Sequence, residues 1–155
     1  MDTQATSELD HATRRALKLF VVLSRACASV GDRARKDILR HDLSVSEFGV
    51  LELLWHKGRQ PLGEVAERIL LTTGSVTGII DQLVKKGLVE RKSCHSDRRV
   101  IFADLTPAGK IRISSIFPEH AACIAQAVAG LSAEEQEVAI TLLKKLGHAA
   151  KAAVP

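Results

Sequence analysis

The sequence lacks the features of a membrane or secreted protein. It contains no uninterrupted apolar run near the roughly eighteen residues that a membrane span requires. Its N-terminus, MDTQATSELD, has no basic region followed by an apolar core, so it does not match a secretory signal. We therefore expect a cytoplasmic protein that does not engage a membrane.

Cysteine and histidine are too few or too scattered for a structural scaffold or a metal site. The three cysteines are far apart and odd in number, which fits neither a disulfide framework nor a paired Cys-x-x-Cys site. Six histidines occur without the His-x-x-x-His spacing of a zinc site. No acid, base and nucleophile converge in the pattern, which makes an enzyme the weakest interpretation. We expect no metal and no cofactor.

The net charge of +4 is concentrated in one segment. Residues 85–99 contain six Lys or Arg and two Asp or Glu, which accounts for the whole net charge, while basic and acidic residues cancel elsewhere. A local excess of positive charge is typical of proteins that bind a polyanion. The segment therefore directs attention to nucleic acid.

A long first helix is predicted over residues 8–41. Its apolar residues recur at strides of three and four, which is helical periodicity. Gly31 is a candidate bend. A stripe of this length exceeds what a small domain covers, so we expect it to need a partner subunit. The stripe consists of Leu9, Ala12, Ala16, Phe20, Leu23, Cys27 and Val30.

Three shorter helices follow. Ser44 and Glu47 have capping-box spacing for a helix that ends at Gly58. Pro61 suits the first position of a third helix, and Thr72 or Thr73 suits the cap of a fourth, which ends at Gly87. The predicted buried faces are Phe48, Leu51, Leu54 and Trp55 in the second helix, Leu62, Val65, Ala66 and Ile69 in the third, and Val76, Ile80, Leu83 and Val84 in the fourth.

A hairpin and two more helices complete the chain. Residues 88–92 and 100–105 are β-prone runs on either side of a polar connector. Thr106 and Pro107 open a fifth helix that Pro118 should kink, and a second capping box opens a sixth helix. The capping box is Ser132 with Glu135, the fifth helix has Ile113, Ile116, Phe117, Ile124 and Val128 as apolar positions, and the sixth has Val138, Leu142 and Leu146 inward.

These elements predict a mainly α fold with a small β-hairpin wing. The third and fourth helices form a helix-turn-helix, whose second helix enters the DNA major groove. We expect one domain over 1–155, with a winged helix-turn-helix lobe at 44–105 and dimerisation helices at 8–41 and 107–152.

The outward face of the fourth helix is small and polar, as close approach to base edges requires. Arginine at the hairpin tip suits a narrow minor groove. A solvated helix face and a charged, soluble hairpin tip are the alternatives. The candidate DNA contacts are Thr73, Ser75, Thr77, Gly78, Gln82, Lys85, Arg98 and Arg99.

The segment LGEVAERILLTTGSVTGIIDQLVKKGLVER, the wing DRR and the stretch ADLTPAG resemble the MarR family of bacterial regulators. The likeness extends through LSVSEFGVLELLW and LSAEEQEVAITLLKKL, and so covers most of residues 40–147. It implies a triangular dimer whose first, fifth and sixth helices interlock, reading a palindromic operator. It also implies that Asp97 pairs with Arg99 to shape the wing. Gly78 departs from the family, where many members have a long polar or basic side chain.

The resemblance also implies control by a small phenolic or aromatic acid, by an oxidant or by a metal. The absence of tyrosine disfavours the family's peroxide mechanism, and the scattered histidines disfavour a metal. The basic surroundings of Cys94 make it the redox candidate, with an inert thiol as the alternative; Cys27 and Cys123 are expected to be buried thiols. His41, Phe48 and Trp55 are the candidate effector pocket, with a core role as the alternative for Phe48 and Trp55.

The leading hypothesis is thus a dimeric repressor that binds double-stranded DNA and is released by a small aromatic effector. Two alternatives stay open. One is a regulator switched through Cys94, and the other is a winged helix that uses its basic strip on another acidic surface.

Overall fold

The structure is a computed structural model that describes residues 10–69, 73–94, 96–97 and 99–153. Six helices and three short strands follow in the order α1 His11–Leu39, α2 Val45–Lys57, β1 Gln60–Pro61, α3 Leu62–Arg68, α4 Thr73–Lys85, β2 Val89–Ser93, β3 Ile101–Leu105, α5 Pro107–Val128 and α6 Ala133–Ala152. This confirms the predicted fold class. In the described part of the chain, no helix combines the length and apolarity needed to cross a bilayer.

The chain divides into two compact units. We call residues 32–122 the lobe. We call the residues up to Gly31, together with those from Cys123 onward, the terminal unit. The lobe contains the end of α1, the helices α2 to α4, all three strands and most of α5, whereas the terminal unit contains the remainder of α1 and α5 and all of α6.

The core lies entirely within the lobe. Helices α2, α3 and α4 bury one face each, and α5 adds Ile113 and Ile116. The sheet has the order β1-β3-β2 and is antiparallel, with Val89 opposite Leu105. The core consists of Ile38, Leu43, Phe48, Val50, Leu51, Leu54, Val65, Ala66, Val76, Ile80, Leu83, Val89, Ala103, Leu105, Ile113 and Ile116.

Local sequence signals set several element ends. The capping boxes at Ser44 and Ser132 are both formed, because each hydroxyl accepts the backbone N–H of the glutamate three residues on. Thr106 caps α5 in the same way by accepting from the Gly109 N–H. Gly87 follows α4 with a φ of 70°, a left-handed conformation that glycine adopts without steric cost.

The structure corrects the boundaries around Pro61. This residue is not the first residue of α3 but the N-cap, and it lies in β1. Gln60 and Pro61 pair with β3, so the wing is a three-stranded sheet rather than a hairpin alone. A proline at a sheet edge costs no ladder hydrogen bond, which is why both positions suit it.

Several predictions about helices and burial are also corrected. Val84 is 40% exposed and Trp55 is 37% exposed, so neither belongs to the buried face of its helix. Helix α1 ends at Leu39 and is not interrupted at Gly31. Helix α5 includes Pro118, and the kink expected there stays a prediction. Cys27 is exposed and Cys123 is half-buried. Leu9 and Thr72 lie outside the described residues.

The terminal unit buries none of its described residues. Val138, Leu142 and Leu146 were predicted to face inward, yet they are exposed in the single chain. On α1, Leu17, Phe20 and Val22 are exposed as well. Apolar residues at helical spacing on exposed helices indicate a surface that is buried in an interface with another protein surface.

Candidate nucleic-acid interface

Helix α4 presents a polar outer face. Val76, Ile80 and Leu83 are fully buried, which turns the remaining sides of the helix outward. Of the predicted DNA contacts, Ser75, Gly78 and Gln82 line one shallow groove together with the N-terminal turn of α2. Thr77 and Lys85 are exposed, and the side chain of Thr73 lies outside the described part of the chain.

Gly78 gives this face an open centre. A Cβ atom built there would meet nothing within 4 Å. The glycine is therefore not required by packing inside the lobe, and it reduces helix stability by roughly 1 kcal/mol relative to alanine. Space at this point of the outer face favours close approach by a ligand backbone or base edge.

The wing is attached to α4 through Arg91. Its Nη1 atom lies 2.7 Å from an Asp81 carboxylate oxygen, and its Nη2 atom donates to the Thr77 carbonyl at 3.3 Å. One side chain on β2 thus contacts two successive turns of α4. The excess of basic residues was visible in the sequence, but the pairing of Arg91 with Asp81, ten residues earlier, was not.

Arg99 is held at the wing tip by Asp97. The guanidinium makes two hydrogen bonds, Nε to Oδ1 at 3.1 Å and Nη2 to Oδ2 at 3.2 Å, and the Arg99 backbone N–H adds a third. The Arg99 side chain holds the pKa of the Asp97 carboxyl below its ordinary value. Arg99 nevertheless remains 90% exposed. Arg98 lies outside the described residues.

Folding neutralises much of the basic strip. Lys86 pairs with Glu47 at 2.7 Å and donates to the Asp42 carbonyl. Lys92 contacts the Glu90 and Asp104 carboxylates at 2.9 and 2.8 Å. With Arg91 also paired, three acidic partners come from outside residues 85–99. Lys85 has no ion-pair partner among the described residues, so it remains available for a phosphate.

Two of these acidic partners, Glu47 and Asp104, have lowered carboxyl pKa values. Burial raises the pKa of Glu47, but the hydrogen bonds from Lys86 and from the Ser44 backbone outweigh it, and the net shift is downward. Burial also raises the pKa of Asp104, but the hydrogen bond from Lys92 outweighs it, so this pKa is lowered as well. Both carboxylates therefore favour the ionised form that pairs with lysine.

Cys94 lies at the end of β2 with its sulfur 3.1 Å from the Ser96 hydroxyl. That hydrogen bond, followed by the backbone N–H groups of Asp97 and Ser96, lowers the pKa of the thiol. Of the basic side chains near Cys94 in sequence, those of Arg91, Lys92 and Arg99 pair with carboxylates instead. Local hydrogen bonds, rather than neighbouring cations, therefore favour the thiolate.

The three residues of the predicted effector pocket contact different partners. Phe48 is buried against the His120 ring at 4.5 Å between centroids, and Trp55 packs edge-on against Phe117 at 4.9 Å. The His41 carbonyl accepts from Arg112, while its Nε2 atom is buried without a hydrogen-bond partner. Their common lining of one cavity stays a prediction. In the described part of the chain, no three potential ligands cluster in a way that fits a metal ion.

Comparison with known proteins identifies the family. The model of the MarR family matches residues 43–101, which span α2 to the start of β3. The HTH-type transcriptional regulator MhqR of Bacillus subtilis is 48% identical over 139 residues, covering 90% of this chain and 96% of that protein. The chain belongs to the MarR family. It is therefore a DNA-binding regulator of transcription, and its relatives are not enzymes.

Solved MarR-type structures agree with the fold. Sco3205 of Streptomyces coelicolor, solved in complex with DNA, has a TM-score of 0.82 at 23% identity and covers 92% of each chain. BpsR of Bordetella bronchiseptica has a TM-score of 0.75 at 26% identity, covering 84% of this chain and 98% of that one. The six helices and the wing of this MarR-family chain thus follow a known architecture.

Proposed function

We propose that this MarR-family protein is a cytoplasmic repressor that binds a palindromic operator as a homodimer and is released by a small aromatic acid or phenol. The observation that carries the DNA-binding mode is the exposed polar face of α4 beside a wing whose tip presents Arg99 to solvent. Ser75, Gly78 and Gln82 are the candidate base contacts, and Lys85 is the candidate phosphate contact. Arg98 and Arg99 are the candidates for the minor groove.

The exposed apolar surface of the terminal unit supports the homodimer. An apolar cleft of about 580 Å³ runs between residues 23–31 of α1 and residues 128–143. Leu142 and Val138 are also exposed on α6. Apolar surface on this scale favours burial against a second copy, and a two-fold dimer then requires a palindromic site.

Selection of bound sequences from random duplex DNA tests the operator. We expect enrichment of a palindrome with half-sites about one helical turn apart. Alanine at Gln82 should relax one base position and cost about 1–3 kcal/mol of binding free energy. Enrichment without a repeat would contradict the dimeric mode. No enrichment at all would favour the alternative, a wing that binds an acidic protein surface.

The effector class is supported by a relative. The DNA binding of BpsR is regulated by 6-hydroxynicotinic acid, a hydroxylated aromatic acid. A ligand that releases this protein must bind the free form more tightly than the operator complex. Calorimetric titration of hydroxylated aromatic acids, with and without operator, should show weaker binding in the complex. Equal affinities would reject release by this mechanism.

A second candidate is control through Cys94, favoured by the lowered pKa of its thiol. The thiolate is the nucleophilic form of cysteine, and it is the form that reacts with oxidants. In this mechanism a mild oxidant releases the wild-type protein from its operator but not a Cys94→Ser variant. If both proteins respond alike, Cys94 is not the switch.

A further inference from the structure

A groove between α2 and α3 has the size and lining of a small-molecule site. Its volume is about 450 Å³, within the usual range of roughly 300–1,000 Å³ for such sites. Every residue that lines it belongs to the lobe. None of His41, Phe48 and Trp55 lines the groove, so it differs from the pocket predicted from sequence. The two regions are neighbours, because the His56 ring at the rim lies 5.0 Å from the Trp55 ring and 5.2 Å from the Phe117 ring between centroids.

The floor of the groove is apolar and is shaped by a glycine. Val45 and Leu53 come from one side of α2, and Ile69 comes from the end of α3. Gly49 lies between them, and a Cβ atom there would contact the Ile69 side chain at an ordinary 3.8 Å. Packing against Ile69 therefore does not require a glycine at this position. Its missing side chain is what keeps the floor open.

The rim carries more positive than negative charge. Lys57 and Arg68 border the groove with Glu52, and His56 and Ser46 complete the polar edge. The Lys57 ammonium has no ion-pair partner among the described residues. Arg68 lies 3.6 Å from Glu64 in a pair about half exposed, which is longer than a hydrogen bond and leaves donors for another acceptor.

We propose that this groove binds a small aromatic carboxylate, with the ring on the Gly49 floor and the carboxylate at Arg68 and Lys57. This assignment rests on the proposed control by an aromatic effector and gives it a location. Arginine recognises carboxylates through paired hydrogen bonds, and the apolar floor suits the ring. Charge complementarity selects the acid over a neutral analogue.

The location connects the ligand to the DNA-binding helices. Arg68 and Ile69 form the end of α3, and α4 begins four residues later at Thr73. A ligand bound to Arg68 and Ile69 therefore contacts the helix-turn-helix itself, and it shifts DNA binding when its affinity differs between the free protein and the operator complex.

Calorimetry with 4-hydroxybenzoate, and with neutral benzamide for comparison, tests the site without DNA. Arg68→Gln should weaken 4-hydroxybenzoate about tenfold or more, because it loses a charge-assisted contact. Glu52→Gln should tighten binding about threefold, because it removes a repelling carboxylate. Benzamide should bind about tenfold more weakly than the acid. A purely structural disturbance would not give opposite signs at two rim positions.

Two floor variants form a matched pair. Gly49→Leu fills the groove and should abolish binding, whereas Gly49→Ala adds one methyl group without a clash and should change affinity less than about threefold. Lys110→Gln, an exposed change on α5, is the control for loss of a positive charge. Circular dichroism checks that each variant is folded, and the Arg68 variant remains decisive if Gly49→Leu is not.

The outcomes separate the site from the proposed function. No binding to the wild type at millimolar concentration, or equal binding to wild type and Arg68→Gln, overturns the site. If acids release wild type and Arg68→Gln from operator equally, the effector function stands and this location is wrong. If the rim variants change affinity as expected but the acid leaves operator binding unaltered, the site stands and the effector function is wrong.

Discussion

The lobe and the terminal unit differ in how much of their apolar surface they bury. All the buried apolar residues described belong to the lobe, where α2, α3 and α4, the end of α1, part of α5 and the sheet enclose them. The terminal unit consists of helices with the same apolar periodicity, yet α6 buries no residue at all. The lobe is complete as a single chain, whereas the terminal unit has the pattern of a core without its other half.

The difference shows that helical periodicity identifies an apolar face but not what covers it. In α4 the face meets the core of the same lobe, and Ile80 is fully buried. In α6 the same kind of face contains Leu142, which is 59% exposed. Four substitutions test whether the two units differ as this contrast implies.

Glycine-to-alanine changes in the two units should have opposite effects on stability. A Cβ atom at Gly109 would collide with the Leu88 carbonyl oxygen and lie 3.2 Å from the Leu105 side chain. We expect Gly109→Ala to lower the free energy of unfolding by about 3 kcal/mol, as overpacking against backbone does. Denaturant titration of the purified protein measures this loss.

The matched change is Gly147→Ala in α6, where a Cβ atom meets nothing within 4 Å. Alanine should raise the free energy of unfolding by about 1 kcal/mol, because glycine is the weaker helix former. A loss of stability instead would show that another surface approaches this position closely, as in a dimer more tightly packed than the single chain indicates.

Charge placed on the apolar face of α6 should separate the subunits. Leu142→Glu leaves the single chain almost unstrained, since the residue is exposed, but it buries a carboxylate twice in a symmetric interface. We expect the dimer dissociation constant to rise about 100-fold or more. Sedimentation equilibrium measures it, with Lys144→Glu as the control. A dimer that tolerates Leu142→Glu contradicts an α6 interface.

The sequence predicted those parts of the molecule that depend on local signals. Capping residues at Ser44 and Ser132 and the glycine at Gly87 placed the helix ends correctly, because caps act over three or four residues. The order of helices and strands followed from periodicity. What failed was long-range: β1 pairs with β3 across some forty residues, and no short pattern shows that partner.

The candidate site shows the same limit. The outward residues of α4 were predicted correctly from helical geometry. The positive charge of residues 85–99, however, is largely paired with carboxylates in the folded chain. Glu47, Asp81 and Asp104 come from other elements and pair with lysine and arginine residues of this segment. The groove beside Gly49 was also missed. A glycine in an amphipathic helix does not by itself indicate a groove, and the sequence does not show that Ile69 lies beside it.

The ion pair between Glu47 and Lys86 should make the lobe sensitive to acid. The carboxyl pKa is lowered in the folded state, so its stabilising contribution is present above the pKa of the unfolded chain and is lost as pH falls through the folded value. Glu47→Gln should cost about 2 kcal/mol near pH 7, and this cost should shrink as the pH falls through the folded-state pKa of Glu47. Urea titrations at pH 7 and at lower pH values give the slope, and parallel profiles for the two proteins would exclude the pair as its source.

Salt dependence of DNA binding should distinguish Lys85 from Arg91. Lys85 has no ionic partner in the described structure, whereas Arg91 is bound to Asp81 and to the Thr77 carbonyl. A cation that neutralises a phosphate releases counterions, so the slope of log affinity against log salt becomes shallower by about 0.9 for each phosphate contact removed.

Lys85→Gln should therefore reduce the slope by about one per subunit. Arg91→Gln should leave the slope unchanged and weaken binding less than about threefold, because an exposed pair contributes little. Operator titrations between low and moderate salt provide both slopes. If Arg91→Gln reduces the slope as much as Lys85→Gln, the arginine leaves Asp81 when DNA binds, and the pairing in the free lobe does not predict which cations reach phosphate.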